Sequence, residues 1–239
     1  MTEMLKVRDQ DVLLVVDIQN DFCPGGRLAV PRGDEVILLI NGLATRFKHV
    51  VLTQDWHPSG HLSFASMHPG RKPYETIKAA YGSQILWPDH CVQGTQGAEF
   101  REDLLINHAE LVLRKGYNRE VDSYSAFYEN DRKTHTGLAG YLRERDLRRV
   151  FLAGLAFDFC VRYSAEDARR EGFDVVVVDD ACRGIFHIEE FSAGLAGAPD
   201  YNVLLLLLLG VEDLLYQSRD DMGRLRIKVV SRPIQIDGQ

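Results

Sequence analysis

The stretch Val12-Leu13-Leu14-Val15-Val16 is apolar at every position. A run that short and uniform fits a parallel strand covered on both faces. Further strand-like runs stand at 49–53, 109–114, 149–154 and 174–178, with helical spacing between several of them. Residues 34–48 carry Val36, Leu39, Ile40, Leu43 and Phe47 on one predicted helical face, and Asp34 is placed to cap it. Residues 134–147 and 160–172 read as two more helices. Residues 58–100, after the second strand, are rich in Gly, Pro, Ser and His with little periodicity, and a loop region of that length is usually functional. Alternating strands and helices joined by right-handed crossovers give a parallel sheet with helices on both faces. The expected class is α/β, a three-layer sandwich on a mostly parallel sheet of about six strands. Residues 1–239 are expected to form one domain.

In such sheets ligands bind beyond the carboxyl ends of the strands. Asp17 follows the first strand, Asp55 and His57 the second, Lys115 the third and the 156–160 turn the fourth. Cys160 opens a predicted helix, where the positive end of the dipole should lower its pKa. A drop of ~1.5 units from the ordinary ~8.5 would make it about half thiolate at neutral pH. The plainer reading is a packing cysteine. Cys23, Cys91 and Cys182 lack that placement and read as packing or loop residues. Asp17 is either a turn former or a base in a cleft, and most lysines are simply solvated. Taken together, however, Asp17, Lys115 and Cys160 supply the base, cation and thiol that a cysteine nucleophile requires.

The second strand runs into Asp55-Trp56-His57-Pro58-Ser59-Gly60-His61. Side chains alternate in an extended segment, so Asp55 and His57 point the same way. The Pro58–Gly60 turn could bring His61 back, and His90 is available as a fourth ligand. Imidazoles with one carboxylate suit Zn, Mn or Fe(II) rather than Ca or Mg. The competing reading is a His-rich surface loop.

Charge and cysteine usage narrow the class. The net charge is −7 and no basic run carries interleaved aromatics, which argues against a nucleic-acid partner. The N-terminus has no apolar signal core, and the strongest apolar run, 203–209, is far shorter than the ~20 residues a spanning helix needs. A cytoplasmic protein is expected, with its four cysteines as thiols. None are in C-x-x-C spacing.

Several ordered motifs at family-like spacing carry a resemblance: VVDIQNDFCPGGRLAV (15–30), TQDWHP (53–58), HLSFAS (61–66), WPDHCVQGT (87–95), KGYNREVDSYSAF (115–127), GLAFDFCVRYSAEDA (154–168) and VVVDDACRGI (176–185). The chain resembles the nicotinamidases and pyrazinamidases of the isochorismatase-like cysteine hydrolase superfamily over about residues 8–185. The resemblance implies that Asp17, Lys115 and Cys160 form a catalytic triad. It implies that Asp55, His57, His61 and His90 hold one divalent metal, zinc first, with manganese or iron as alternatives. Phe22 and Trp87 would sandwich a pyridine ring, Tyr124 would line the same pocket, and the backbone N–H groups of Ala156 and Cys160 would form an oxyanion hole after a cis Leu155–Ala156 peptide. The implied reaction is hydrolysis of nicotinamide to nicotinate and ammonia through a Cys160 thioester, in NAD salvage, with pyrazinamide as a second substrate. The partner is then a small molecule, with no nucleic acid or membrane, and the protein a monomer or homo-oligomer.

Two other hydrolase readings compete. Amidases acting on another small amide or carbamoyl compound resemble the superfamily in Asp, Lys and Cys but generally lack the metal loop. The isochorismatase branch typically lacks the cysteine. A non-catalytic metal-binding domain is a third alternative. The chain departs from the family pattern at Phe157-Asp158 and again over 186–239. There, 203–209 is expected as a substitute sixth strand, 211–216 as a short helix and 226–230 as an added edge strand.

Overall fold

The structure, a computed structural model, describes residues 6–186 and 228–230. Its main sheet runs β5-β2-β1-β6-β7-β8, and every pairing in it is parallel. The strands are β1 (Asp11–Val16), β2 (His49–Asp55), β5 (Leu111–Lys115), β6 (Arg149–Leu155), β7 (Asp174–Arg183) and β8 (Lys228–Val230). All six residues of β1 are buried, as its unbroken apolar run requires. β5, at the sheet edge, instead alternates between half-buried and exposed until Lys115 closes it.

Among the described residues, three α-helices cover the sheet: α1 (Val36–Ala44), α2 (Leu138–Glu144) and α3 (Arg162–Arg170). From β1 the chain moves through α1 to β2 on one side, and from β6 through α3 to β7 on the other. Right-handed crossovers running in opposite directions put α1 and α3 on opposite faces. The connection from β5 to β6 runs in the same direction as that of α3, so α2 shares the α3 face. The strand order reverses between β1 and β6, which opens a crevice at their carboxyl ends.

Several expectations were too simple. The helix expected over 34–48 is shorter, and Asp34 lies in a preceding 3-10 turn without capping it. Val36, Ile37, Ile40, Leu43 and Ala44 are its buried face, while Leu39 is 48% exposed. The helix is apolar nearly all round, so its sequence pattern could not say which stripe meets the sheet. Residues 58–100 contain an antiparallel hairpin, β3 (Thr76–Ala79) and β4 (Gly82–Ile85). Cys160 does not begin an α-helix. It sits in a π-helical turn, Phe157–Val161, that leads into α3. The edge strand expected at 226–230 appears as β8, whereas 203–209 and 211–216 lie outside the described residues.

Gly154 sets how closely the two central strands approach at the crevice. It pairs with Val16 and has φ +129, where only glycine is comfortable. A Cβ there would lie 2.2 Å from the Val16 carbonyl oxygen. The next peptide, Leu155–Ala156, is cis. Gly154→Ala is expected to destabilise the protein by about 3 kcal/mol or more, since backbone has to move and neither strand can yield. Denaturant unfolding of the variant beside the parent measures it.

Candidate active site

Each site residue sits at a carboxyl-terminal strand end. Asp17 follows β1 with φ +49, a left-handed conformation that Asp tolerates better than most residues and that turns the chain out of the sheet. Asp55 ends β2, Lys115 ends β5, and Cys160 stands on the turn after β6. All four are buried.

The Lys115 ammonium is the centre of the arrangement. Its Nζ lies 2.7 Å from Asp55 Oδ1, 2.9 Å from Asp17 Oδ2 and 3.4 Å from Cys160 Sγ, and it donates to the Ser123 carbonyl at 3.0 Å. Burial pulls its pKa down, but the Asp17 and Asp55 charges more than offset this and hold it well above the usual lysine range. The two carboxylates are driven apart. Burial pushes Asp55 up, yet Lys115 and His57 dominate and hold it well below the usual range. Burial raises Asp17, and Lys115 does not fully offset it because Asp55 adds repulsion. Asp55 is therefore the fixed anion and Asp17 the carboxylate that can carry a proton.

Asp17 is held through one oxygen and open at the other. Its Oδ1 accepts the Thr53 hydroxyl at 2.6 Å. Its Oδ2 pairs in charge with Lys115 but lacks an aligned donor, alone among the buried side-chain N and O atoms of the described residues. That oxygen is free to accept the Cys160 thiol proton. Burial pushes the thiol well above its usual range; Lys115 acts to lower it, and Asp17 and Asp55 add to the rise. This corrects the expected depression. Cys160 has no regular helix N-terminus behind it, and two carboxylates face it against one ammonium. The resting group is a thiol beside a base.

Next to this cluster, two imidazole lone pairs converge on one carboxylate. His57 Nδ1 donates to the Gly116 carbonyl at 2.8 Å, and His90 Nδ1 to the Pro88 carbonyl at 2.8 Å. Carbonyls only accept, so both rings carry hydrogen at Nδ1 and turn a bare Nε2 inward. Those Nε2 atoms lie 3.1 and 3.4 Å from Asp55 Oδ2. Three acceptors facing one point require a cation between them, and their nitrogen and oxygen chemistry fits a divalent transition metal. Burial would lower His57, but Asp55 more than compensates and raises it, so a proton can occupy the same place. His61 differs. Its Nε2 donates to the Asn118 carbonyl at 2.9 Å and its Nδ1 accepts the Ser63 hydroxyl at 2.8 Å. It groups with His57 and Asp122, whereas Asp55, His57 and His90 form the other ligand triad.

Beside the imidazoles, Phe22 packs against the His90 ring at 5.5 Å between centroids. Trp87 meets Tyr124 at 6.2 Å and Phe159 at 4.9 Å, both edge-on. Ala156 lies at the foot of the π-turn, its carbonyl accepting the N–H groups of Phe159 and Val161.

Several residues escaped sequence reasoning. Gln19 clamps the Asp55 backbone, donating to its carbonyl at 2.8 Å and accepting its N–H at 2.7 Å. Phe64 places its ring edge-on to His57, His61 and His90. Asp122 lies with Oδ1 4.0 Å from His57 Nε2. Asp158, next to the departure at Phe157, accepts the N–H groups of Ile185 and Phe186 and so ties the π-turn to the end of β7. All four fall within motif stretches, and their polar or apolar character alone marks no role.

An isochorismatase domain model matches residues 11–194. A nicotinamidase of Acinetobacter baylyi is 52% identical over 181 residues, covering 76% of this chain and 85% of that protein. A solved structure of an Acinetobacter baumanii nicotinamidase and pyrazinamidase superposes with TM-score 0.78 at 46% identity, covering 93% of this chain and 98% of the other. A zinc complex of the Pyrococcus horikoshii pyrazinamidase superposes with TM-score 0.65 at 31% identity, covering 92% and 98%. With its parallel sheet, its crevice and its buried Asp, Lys and Cys, the chain belongs to the isochorismatase-domain family, on the side of its nicotinamidases.

Proposed function

We propose that this protein hydrolyses nicotinamide to nicotinate and ammonia, and pyrazinamide as a near isostere, through a Cys160 thioester. The observation that carries the reading is one buried ammonium shared by Asp17, Asp55 and Cys160 beside a converging cation site. An NAD-salvage role in the cytoplasm belongs to the same reading. Among the described residues no helix is long and apolar enough to cross a membrane.

Asp17 Oδ2 takes the Cys160 proton as the sulfur attacks the amide carbon. Lys115 keeps the carboxylate and the forming thiolate oriented without itself giving up a proton, consistent with its raised pKa. The N–H groups of Ala156 and Cys160 are assigned to the developing oxyanion. Asp17 returns the proton to the leaving nitrogen, and ammonia departs. Asp17 then deprotonates the water that opens the thioester, releasing nicotinate and restoring the thiol.

Asp55, His57 and His90 would hold a divalent ion, zinc by preference as in the Pyrococcus structure. His61 is the fourth candidate, and its Nε2 must leave the Asn118 carbonyl to serve. When bound, the ion supplies a Lewis-acidic position for a ring nitrogen or water. Phe22, Trp87 and Tyr124 are assigned to the pyridine ring. An amidase for a carbamoyl compound fits less well, because it leaves this donor set without a use.

Ammonia release by the purified protein tests the function directly. Chelation should abolish it and zinc add-back restore it; release that ignores both would remove the metal from the reading. Cys160→Ala should end turnover while zinc stays bound. Asp17→Asn should lower kcat by a factor of about 10² to 10⁴, the usual worth of a general base, in steady-state assays. Gly116→Ala would place a Cβ 2.5 Å from His57 Cε1 at φ +67, displacing that ring. Its zinc affinity, read by chelator competition, should fall about 10- to 100-fold.

A further inference from the structure

Gln84, on β4 of the hairpin, is 1% exposed and lies outside every group assigned above. Its amide nitrogen lies 2.7 Å from the Ile85 carbonyl, 2.9 Å from Asp122 Oδ2 and 3.0 Å from the Tyr124 hydroxyl. Its amide oxygen accepts from the Tyr81 hydroxyl at 2.9 Å and from Asn130 Nδ2 at 3.3 Å. The orientation of the amide is forced. A carboxylate and a carbonyl only accept, so nitrogen must face them, and Asn130 Nδ2 only donates, so oxygen must face it.

The chain of contacts continues at both ends. The Tyr124 hydroxyl also receives the Trp87 indole N–H at 3.3 Å. Asn130 Oδ1 accepts the Tyr124 backbone N–H, and the Asn130 N–H bonds the Asp122 carbonyl. Asp122 Oδ1 accepts the Ser123 N–H and stands 4.0 Å from His57 Nε2. One buried amide thus joins the carboxylate beside the cation site to the two aromatic side chains of the ring wall. Such networks fix their members jointly, because breaking one link leaves other buried groups unpaired.

We infer that Gln84 is a positioning residue for the pyridine ring: through Tyr124 it sets the Trp87 wall at a fixed distance from the Asp122 and His57 side of the site. The inference rests on the nicotinamide reading and adds a determinant to it. Gln84 touches no reacting atom, so its loss should weaken ring binding while the Asp17, Lys115 and Cys160 chemistry persists.

Nicotinamide binding is measured by calorimetry on zinc-loaded Cys160→Ala protein, which holds the ligand without turning it over. Adding Gln84→Met, similar in size but without the amide, should weaken binding about tenfold, the scale expected for lost buried hydrogen bonds. In the Cys160 protein, the same change should raise KM with kcat altered about threefold or less, as a change in ground-state binding does. Tyr124→Phe removes the hydroxyl that links Gln84 to Trp87 and should weaken binding in the same direction. The pair together should be no weaker than Gln84→Met alone, because both act through one connection. A Gln84→Met protein with lowered Tm but unchanged Kd and KM would overturn the inference and leave the nicotinamide reading standing. Should that variant fail to fold, unchanged affinity in Tyr124→Phe overturns it equally. No nicotinamide binding and no ammonia release from the parent would overturn the reading and the inference with it.

Discussion

A fully buried ammonium is costly unless opposite charge meets it, and Lys115 organises the site around that demand. Its nitrogen draws together the ends of four strands: Asp17 from β1, Asp55 from β2, its own β5, and Cys160 from the turn after β6. Two carboxylates around one cation cannot be equivalent. Asp55 is further stabilised by His57 and stays ionised, and Asp17 rises. That division makes one carboxylate a structural anion, shared between lysine and the imidazole pair, and the other a base beside a thiol. The same asymmetry explains why Cys160 rests as a thiol. A permanent thiolate would place a third anion against one ammonium.

The cation site depends on the same Asp55. Its Oδ1 faces Lys115 and its Oδ2 faces two bare imidazole nitrogens. Gln19 fixes its backbone from one side, and Gly116 leaves room for the His57 ring on the other. The nucleophile cluster and the candidate metal centre are therefore two sides of one carboxylate rather than separate sites. Disturbing either alters the charge felt by the other.

Much of this was legible from strand ends. Short apolar runs predict buried parallel strands, and the crevice rule then selects Asp17, Asp55, Lys115 and Cys160 from a chain with 35 acidic and 28 basic residues. The expectation of three histidines and one aspartate as ligands was less complete. Asp55, His57 and His90 converge, but His61 is held by Asn118 and Ser63, partners that only the loop path brings near. The hairpin at 76–85 was invisible because its strands are four residues each and read as part of a long loop. The expected lowered thiol pKa failed because it left out burial, assumed a regular helix and ignored the two carboxylates that packing supplies.

Local sequence by itself determined the raw material of the parallel sheet: which segments form its central strands, which helices lie between them, and which chemically capable residues end them. Those properties depend on side-chain period and apolar content, which neighbouring residues carry. Only the tertiary structure decided which carboxylate carries the proton, which imidazole nitrogens are bare, and that Gln84 bridges Asp122 to Tyr124. These depend on distances of about 3 Å between residues far apart in the chain, and on burial that turns such distances into large electrostatic differences.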